Sequence, residues 1–374
     1  MNPAASQIRA MTIECEKVKG VNLAQGICDL ETPSEVMKTA ISAMEAGKNI
    51  YSRADGIESL RIAVSKKLEK FNNIKADPEK NIIITHGATG GFYSAITALL
   101  ERGDEVVVFE PFYGYHINTL KLAGLVPQLI KMNPPDWTFD IDQIKITSKT
   151  KAILINTPSN PCGKIFSEKE INQLGDLCLK HDLFLFTDEV YEYFIYDDFK
   201  HISPASIEKL REKTITISSY SKTFSITGWR VGYCVSNNEK IANKIKQVND
   251  LVYVCSPTPL QYGVAEGINK IEDSYYQNLK NELKAKRDKL YNVLTSKGFK
   301  THLPQGSYYI LSDIGVLPGE TGLEKAMYLL NKTGVAVVPG NEFFQGDIGN
   351  NFARFCFAKK DHELEKACQQ LEKL

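Results

Sequence analysis

TITISSYSKTFSITGWRVG (residues 214–232) begins as an alternating β-branched run and continues as a loop around a single lysine. The run predicts a strand that stops at Ser-Tyr-Ser-Lys. Lys222 stands there among small hydroxyl side chains, and Arg230 follows between glycines. A lysine amine can hold an aldehyde as an imine, while Ser219, Ser221 and Arg230 can hold a phosphate. The stretch alone fits either a bound phosphorylated aldehyde or a surface lysine in a Ser/Thr-rich loop.

Around this stretch, short apolar runs alternate with helix-length amphipathic segments. The predicted strands are residues 81–85, 105–109, 126–132, 151–156, 183–188, 214–218 and 230–235. The predicted helices between them include 90–100, 115–122 and 167–180, the last opening with the capping box Ser-Glu-Lys-Glu. Strands that alternate with helices predict an α/β fold whose mostly parallel sheet is covered on both faces. Ligands of such sheets bind beyond the carboxyl ends of the strands.

The pattern changes after about residue 270, where a long charged helix (274–297) precedes a smaller α+β region. A chain of 374 residues exceeds the usual growth limit of one hydrophobic core. We expect a large domain at 49–272 and a small domain built from 1–48, with an N-terminal arm, and 273–374.

The composition favours a small-molecule partner. Lys plus Arg and Asp plus Glu both number 45, so no net field attracts nucleic acid or an anionic membrane. No segment has the apolar run of a signal peptide or a membrane span, which predicts a cytoplasmic protein. The eight cysteines are scattered without a CxxC pair, so we expect buried thiols, with neither a disulfide framework nor a metal site.

Two further strand ends carry candidate ligand groups. THGATGG (85–91) is a glycine-rich strand-to-helix turn whose backbone N–H groups could bind a phosphate. An ordinary strand-to-helix turn without a ligand is the alternative. THGATGG is neither a dinucleotide fingerprint nor a Walker A sequence. EPFYGYH (110–116) places Tyr113 where it could stack on a flat ring, with core packing as the alternative.

Three polar residues complete the set. Asn160, in NTPSNPCG, could donate to a phenolate oxygen. Asp188 ends an apolar strand, where a carboxylate needs a partner such as a protonated pyridine nitrogen, unless it is a helix cap. Arg354 lies in the strand-like NNFARFCFAKK, where it could grip a substrate carboxylate or form a structural salt bridge.

Taken together, NxxxNPxG, DEVY, SxSKxFxxxGWRxG and RxxFA resemble the fold type I, class I/II aminotransferases, which use pyridoxal 5′-phosphate (PLP). The resemblance spans essentially the whole chain, including NLAQGICDLETP, PQGSYYI and VPGNEFF. It is similar in particular to the subgroup of kynurenine/glutamine, methionine and some aspartate aminotransferases. The implied fold has a seven-stranded sheet in its large domain.

The resemblance implies roles for residues around the cofactor ring. Lys222 would bind the cofactor aldehyde covalently and then move the proton between the substrate Cα and the cofactor. Asp188 would pair with the pyridine N–H, and Asn160 and Tyr191 would hydrogen-bond the ring oxygen. Tyr113 would stack on the ring.

The resemblance also implies phosphate, carboxylate and subunit contacts. The phosphate would be held by Ala88, Thr89, Ser219, Ser221 and Arg230. Arg354 would grip the α-carboxylate, and Gly26 would lie where the N-terminal segment closes over the substrate. Tyr51 would reach the phosphate of a neighbouring subunit, which implies a homodimer with shared sites.

The sequence leaves the substrate and one segment open. Cys28 stands where the family usually has proline, which implies a different shape for this segment. Arg9 and Arg53 are candidates for a second, distal carboxylate, and nothing in the sequence assigns either. The leading hypothesis is a ping-pong aminotransferase that uses a methionine, aromatic, glutamine-like or aspartate donor, with 2-oxoglutarate as acceptor. A carbon–sulfur β-lyase and a catalytically silent PLP-binding module are the alternatives.

Overall fold

The computed structural model describes residues 7–374, so the first six residues of the predicted N-terminal arm lie outside it. The strands are β1 (Val21–Asn22), β2 (Ile82–His86), β3 (Glu105–Glu110), β4 (Val126–Lys131), β5 (Thr150–Asn156), β6 (Phe184–Asp188), β7 (Thr214–Ser219), β8 (Val231–Val235), β9 (Lys300–Thr301), β10 (Tyr309–Asp313), β11 (Val335–Ala336), β12 (Val338–Pro339) and β13 (Phe352–Cys356). The helices are α1 (Gln7–Lys17), α2 (Ser34–Glu45), α3 (Glu58–Lys67), α4 (Gly87–Leu99), α5 (Gly114–Leu122), α6 (Glu168–His181), α7 (Glu239–Tyr253), α8 (Thr258–Lys270), α9 (Asp273–Ser296), α10 (Gly322–Thr333) and α11 (Asp361–Leu371).

The central sheet has seven strands in the order β2-β8-β7-β6-β5-β3-β4. β8 runs antiparallel to both of its neighbours, and all other pairs are parallel. The predicted α/β fold with a mostly parallel seven-stranded sheet is confirmed. Each predicted strand of this sheet is present with its ends shifted by at most one residue. Helix α4 begins three residues earlier than predicted, at Gly87, whose positive φ of 66° allows the sharp turn out of β2.

The strands are apolar throughout because both faces of the sheet are covered. In β3, Val106 and Val108 belong to a hydrophobic cluster on one face, while Val107 and Phe109 belong to the cluster on the other. Alternate residues of a strand point to opposite faces, so burial on both sides requires an uninterrupted apolar run. Polar side chains are consequently displaced to the strand ends.

The carboxyl ends of the parallel strands meet at one edge of the sheet. Asn156 pairs with Asp188 at the ends of β5 and β6, and Asp188 in turn pairs with Ile217 of β7. β8 runs the opposite way, and its first residue, Val231, pairs with His86 at the end of β2. The residue before β8, Arg230, is therefore brought to the same edge.

The C-terminal part of the chain forms a four-stranded antiparallel sheet, β12-β13-β10-β9. The N-terminal strand β1 pairs in parallel with β11, whereas α2 packs closely against α8. The division at residues 48 and 272 stays a prediction. Across residues 7–374, no helix combines the length and the apolar character that crossing a bilayer requires.

Helix α6 begins at the predicted capping box. The Ser167 hydroxyl accepts from the Glu170 N–H, and a Glu170 carboxylate oxygen accepts from the Ser167 N–H at 2.8 Å. Two N–H groups that the helix itself leaves without partners are thereby satisfied.

We expect Ser167→Ala to lower the free energy of unfolding by about 1 kcal/mol, because the helix loses a side-chain cap. Ser167→Thr keeps the hydroxyl and serves as the matched control. Thermal unfolding of the three proteins, followed by circular dichroism, measures the difference. Equal stability of the alanine and wild-type proteins would show that the cap contributes nothing.

Candidate active site

A cavity of about 350 Å³ opens at the carboxyl edge of the central sheet. The predicted site residues that line it are Gly26, Ala88, Thr89, Tyr113, Asn160, Asp188, Tyr191, Ser219, Ser221, Lys222, Arg230 and Arg354. Tyr51 does not line it, and its side chain is 80% exposed. Residues from both sequence regions thus converge on one site, because Arg354 comes from the antiparallel sheet and Asp188 from the parallel one.

Lys222 follows β7 and extends its amine into the cavity. Its Nζ donates to the Gly26 carbonyl at 3.2 Å and lies 6.0 Å from the centre of the Tyr308 ring. Loss of hydration lowers the pKa of Lys222 to about 8, and the positive charges of Arg354 and Arg230 act in the same direction. A neutral amine is therefore accessible near physiological pH, as a nucleophile or a base requires.

Asp188 is buried and held in a defined orientation at the end of β6. Its Oδ1 accepts from the Val190 N–H at 3.2 Å, and its Oδ2 lies 2.9 Å from Nε2 of His116. The Tyr113 ring meets the His116 ring edge-on, with 5.2 Å between centres. His116 was not among the predicted site residues. His116 lies in EPFYGYH (110–116), one helical turn after Tyr113. That spacing was the sequence signal that it lies beside Tyr113.

Arg354 differs from the other fully buried arginines among residues 7–374. Three arginines are essentially fully buried: Arg61, Arg287 and Arg354. Arg61 pairs with Asp55 and Glu79, and Arg287 pairs with Asp197 and Asp288.

Arg354, in contrast, has no carboxylate partner anywhere in residues 7–374. Its Nη1 donates to Oδ1 of Asn160 at 2.9 Å and its Nη2 to the Ala24 carbonyl at 2.8 Å. Its guanidinium lies 4.2 Å from the centre of the Tyr309 ring, and its Nε has no protein partner. Burying a guanidinium without an anion is costly, so the arrangement indicates a site for an anionic ligand.

A second cationic corner lies at the N-terminus of α4. A Cβ on Gly87 would come within 2.3 Å of Arg230 Nη2, so only glycine lets this guanidinium lie against the backbone. Arg230 itself adopts a left-handed φ of 57°, and its Nη1 donates to the Thr227 carbonyl at 2.9 Å. Free N–H groups of the first helical turn, the hydroxyls of Ser219 and Ser221, and an arginine form a suitable cradle for a phosphate.

Tyrosines close the substrate side of the cavity. The hydroxyl of Tyr191 lies 3.1 Å from that of Tyr309, and burial raises the pKa of Tyr191 well above its ordinary value. Tyr191 is therefore a neutral hydrogen-bonding phenol. A Cβ on Gly26 would meet the Tyr309 hydroxyl at 2.1 Å, so glycine is needed for their close approach. Tyr309 was not among the predicted site residues. The adjacent Tyr308 lies outside the cavity lining, and its hydroxyl donates to the Gly26 carbonyl at 3.1 Å.

The structure distinguishes between Arg9 and Arg53, the two candidates for binding a distal carboxylate. Arg9 lines the cavity and has no ion pair among the residues that the structure describes. Arg53 lies outside the cavity lining and is tied to Asp55 and Glu79. Cys28 also lies outside the lining; it is buried, and its sulfur accepts from the Ser225 hydroxyl at 3.5 Å.

The amine, the phosphate cradle and the carboxylate of this cavity suit three parts of a single ligand. A low-pKa amine suits an aldehyde, the phosphate cradle suits a phosphate ester, and a buried carboxylate suits a cationic ring nitrogen. The model for aminotransferase class I and II matches residues 18–371. The chain belongs to this family.

Known members of the family resemble the whole chain. Kynurenine–oxoglutarate transaminase 3 of Bos taurus is 34% identical over 380 residues, which cover 93% of this chain and 83% of that protein. Aspartate aminotransferase of Pyrococcus abyssi is 34% identical over 100% of this chain and 96% of that one. A solved structure from Escherichia coli, described as a methionine aminotransferase, superposes with a TM-score of 0.95 at 29% identity and covers 100% of this chain and 98% of its own.

The protein is therefore a PLP-dependent aminotransferase, an enzyme that transfers amino groups. Its substrates are expected to be an amino acid and a 2-oxo acid. The predicted family, enzyme class and cofactor are confirmed.

The low pKa of Lys222 can be tested by labelling the cofactor-free aminotransferase with limiting acetic anhydride at a series of pH values. Only the neutral amine reacts, so acetylation of Lys222 should rise through pH 8 and level off about one unit above it. A free lysine derivative, with a pKa of about 10.4, provides the internal standard. Peptide mass spectrometry quantifies both. Lys222 reactivity that parallels the standard up to pH 10 would contradict the proposed effect of burial.

Proposed function

We propose that this aminotransferase moves the amino group of an L-amino acid to 2-oxoglutarate by a ping-pong mechanism. The donor we propose is methionine, an aromatic amino acid, a glutamine-like amino acid or aspartate. The observation that carries the proposal is the buried, anion-free guanidinium of Arg354 across the same cavity from the low-pKa amine of Lys222. Relatives named for kynurenine with oxoglutarate, for aspartate and for methionine support this range of substrates.

When bound, PLP supplies an electron sink that stabilises negative charge on the substrate Cα. We assign the cofactor's covalent attachment and the proton transfer to Lys222, whose amine can be neutral near pH 8. Asp188 would keep the ring nitrogen protonated, and His116, whose Nε2 lies 2.9 Å from Oδ2 of Asp188, fixes the orientation of the carboxylate. Tyr113, which lines the cavity and meets His116 edge-on, would pack on the ring.

The remaining polar groups hold the ends of the cofactor and substrate. Ala88, Thr89, Ser219, Ser221 and Arg230 form the phosphate cradle. Tyr191, as a neutral phenol, and the amide N–H₂ of Asn160 would donate to the ring oxygen. The Asn160 oxygen already accepts from Arg354, so one side chain links the cofactor side to the carboxylate side.

Arg354 binds the α-carboxylate that amino and 2-oxo acids share. Its ring contact with Tyr309 and its bond to Ala24 orient the guanidinium before any substrate arrives. Gly26 lies beside it, where a side chain would push Tyr309 away.

We further propose a cytoplasmic homodimer that serves amino acid metabolism. Tyr51 and its neighbour Ile50 are 80% and 78% exposed, and apolar surface of this kind is normally covered by a partner. Tyr51 from one subunit would then complete the phosphate cradle of the other.

The central test adds single amino acids, without any 2-oxo acid, to the PLP-loaded enzyme and records its absorption spectrum. A true donor should convert the PLP spectrum to that of the pyridoxamine form, because the first half-reaction needs no acceptor. Lys222→Ala should lose at least about 10³-fold in this conversion, since no other lysine of residues 7–374 lines the cavity to move the proton. A spectrum that no amino acid changes would favour the silent module. Pyruvate and ammonia released from a cysteine conjugate would favour the β-lyase.

We expect Arg9→Gln to raise the KM for 2-oxoglutarate about tenfold, because one charge-assisted hydrogen bond is lost. The KM for pyruvate, which has no distal carboxylate, should change little. The distal carboxylate of 2-oxoglutarate needs a cation, and Arg9 is an unpaired one on the cavity lining. Arg53→Gln, which removes the other candidate, is the matched control and should leave both KM values unchanged. Equal effects of Arg9→Gln on the two acceptors would place the distal carboxylate elsewhere.

A further inference from the structure

A second cleft, of about 720 Å³, lies behind the active site. We call it the rear cleft and define it by Lys66, Phe71, Tyr193, Tyr276 and Lys280. It lies between the end of α3, the segment after β6 and the start of α9. At the end of α3 the helix passes into a single π turn, Leu68–Asn72, an irregularity found disproportionately at functional sites.

One wall of the rear cleft is a row of aromatic rings. Phe71 lies 4.3 Å from Tyr193, and Tyr193 stacks on Tyr276 at 4.5 Å with an interplanar angle of 20°. Phe71 is 41% exposed, and Phe199, also on the lining, is 46% exposed. Exposed aromatic surface inside a concave site is the usual sign of a ligand with its own flat apolar face.

The rim of the rear cleft is strongly positive, although the chain as a whole has no net charge. Five lysines line it, against two carboxylates, which leaves a formal excess of three positive charges. Lys67 is paired with Glu192, and Lys70 with Asp273. The other three, Lys66, Lys200 and Lys280, form no ion pair with any residue in the described range 7–374. Unpaired ammonium groups on the lining of one cleft favour an anion.

The lining of the rear cleft includes a buried polar atom that has no hydrogen-bond partner among residues 7–374. The His201 side chain is only 4% exposed; its Nε2 bonds Glu189 at 2.8 Å, and its Nδ1 has no protein partner. A buried ring nitrogen left unbonded is costly and points to a ligand or water that satisfies it.

A metal ion is an unsuitable ligand for the polar residues around His201. Glu189, Glu192 and His201 offer ligand atoms within 4.8 Å of one another. However, the Lys67 ammonium already pairs with Glu192, and the hydroxyls of Thr187 and Ser203 donate to Glu189 at 2.6 and 2.8 Å. A cation would have to displace Lys67 from a buried pair.

We propose that the rear cleft binds a planar aromatic ring that carries a phosphate, a ligand of mononucleotide size. The ring would stack on Phe71 or Tyr276, at the ends of this row, because Tyr193 is covered by one of them on each face. Such stacking is tolerant of ring identity. The phosphate would lie among Lys66, Lys200 and Lys280. This site is distinct from the active site, and it is independent of which donor and acceptor the enzyme uses.

The test titrates the PLP-loaded enzyme, dialysed free of excess cofactor, with adenosine 5′-monophosphate in an isothermal calorimeter at low salt. Adenosine and inorganic phosphate, titrated separately, represent the two halves of the probe. We expect one saturable site for the nucleotide, with each half binding at least about tenfold more weakly, because stacking and charge act on the same molecule.

Two variants locate the site. The double variant Lys66→Ala/Lys280→Ala and the single variant Tyr276→Ala should each weaken nucleotide binding about tenfold or more, the first chiefly at low salt. Lys332→Ala, at an exposed position of helix α10, removes a charge that is not on the cleft lining and is the control. Retained aminotransferase activity shows that each variant is folded.

No saturable binding of the nucleotide would overturn the proposal. So would binding that both cleft variants leave unchanged, or inorganic phosphate that binds as tightly as the nucleotide. Each result is separable from a failure of the proposed reaction, which is scored by the amino-acid spectra.

Discussion

A sheet covered by helices on both faces can meet a small ligand only where its strands end. In this protein that constraint collects Asp188, Ser219 and, through the antiparallel strand β8, Arg230 at one edge. The antiparallel C-terminal sheet then adds Arg354 from the opposite side. The active site is thus formed by strand direction before any side chain is considered, and the side chains determine only its chemistry.

The electrostatic balance of the active-site cavity follows from its lining. Lys222, Arg230, Arg354 and Arg9 line it, and Asp188 is the single carboxylate among the described lining residues. That carboxylate contacts His116 and the Val190 N–H, and it forms no ion pair with an arginine in residues 7–374. The excess positive charge suits a phosphate and one or two carboxylates, which together would neutralise the cavity. Burial lowers the pKa of Lys222, and the positive charges of Arg354 and Arg230 act in the same direction.

Sequence patterns predicted most of the fold and most of the cavity for a physical reason. Strands buried on both faces must be continuous apolar runs, and residues directly after them must share an edge, so local sequence carries this information. His116 and Tyr309 were missed because their places depend on how separate elements pack. The rear cleft had no signal at all, since its wall and rim combine α3, the segment after β6 and α9 without any shared motif.

The segment from Asp188 to Tyr193 contributes residues to both cavities. Asp188 and Tyr191 line the active site, whereas Glu192 and Tyr193 line the rear cleft, and the Glu189 N–H anchors the segment to Ile217 of β7 at 2.8 Å. The two cavities are thereby separated by little more than one thickness of backbone. Protein engineers who reshape either cavity will find its neighbour altered as well, and directed evolution of this enzyme should yield compensating pairs of substitutions across that partition.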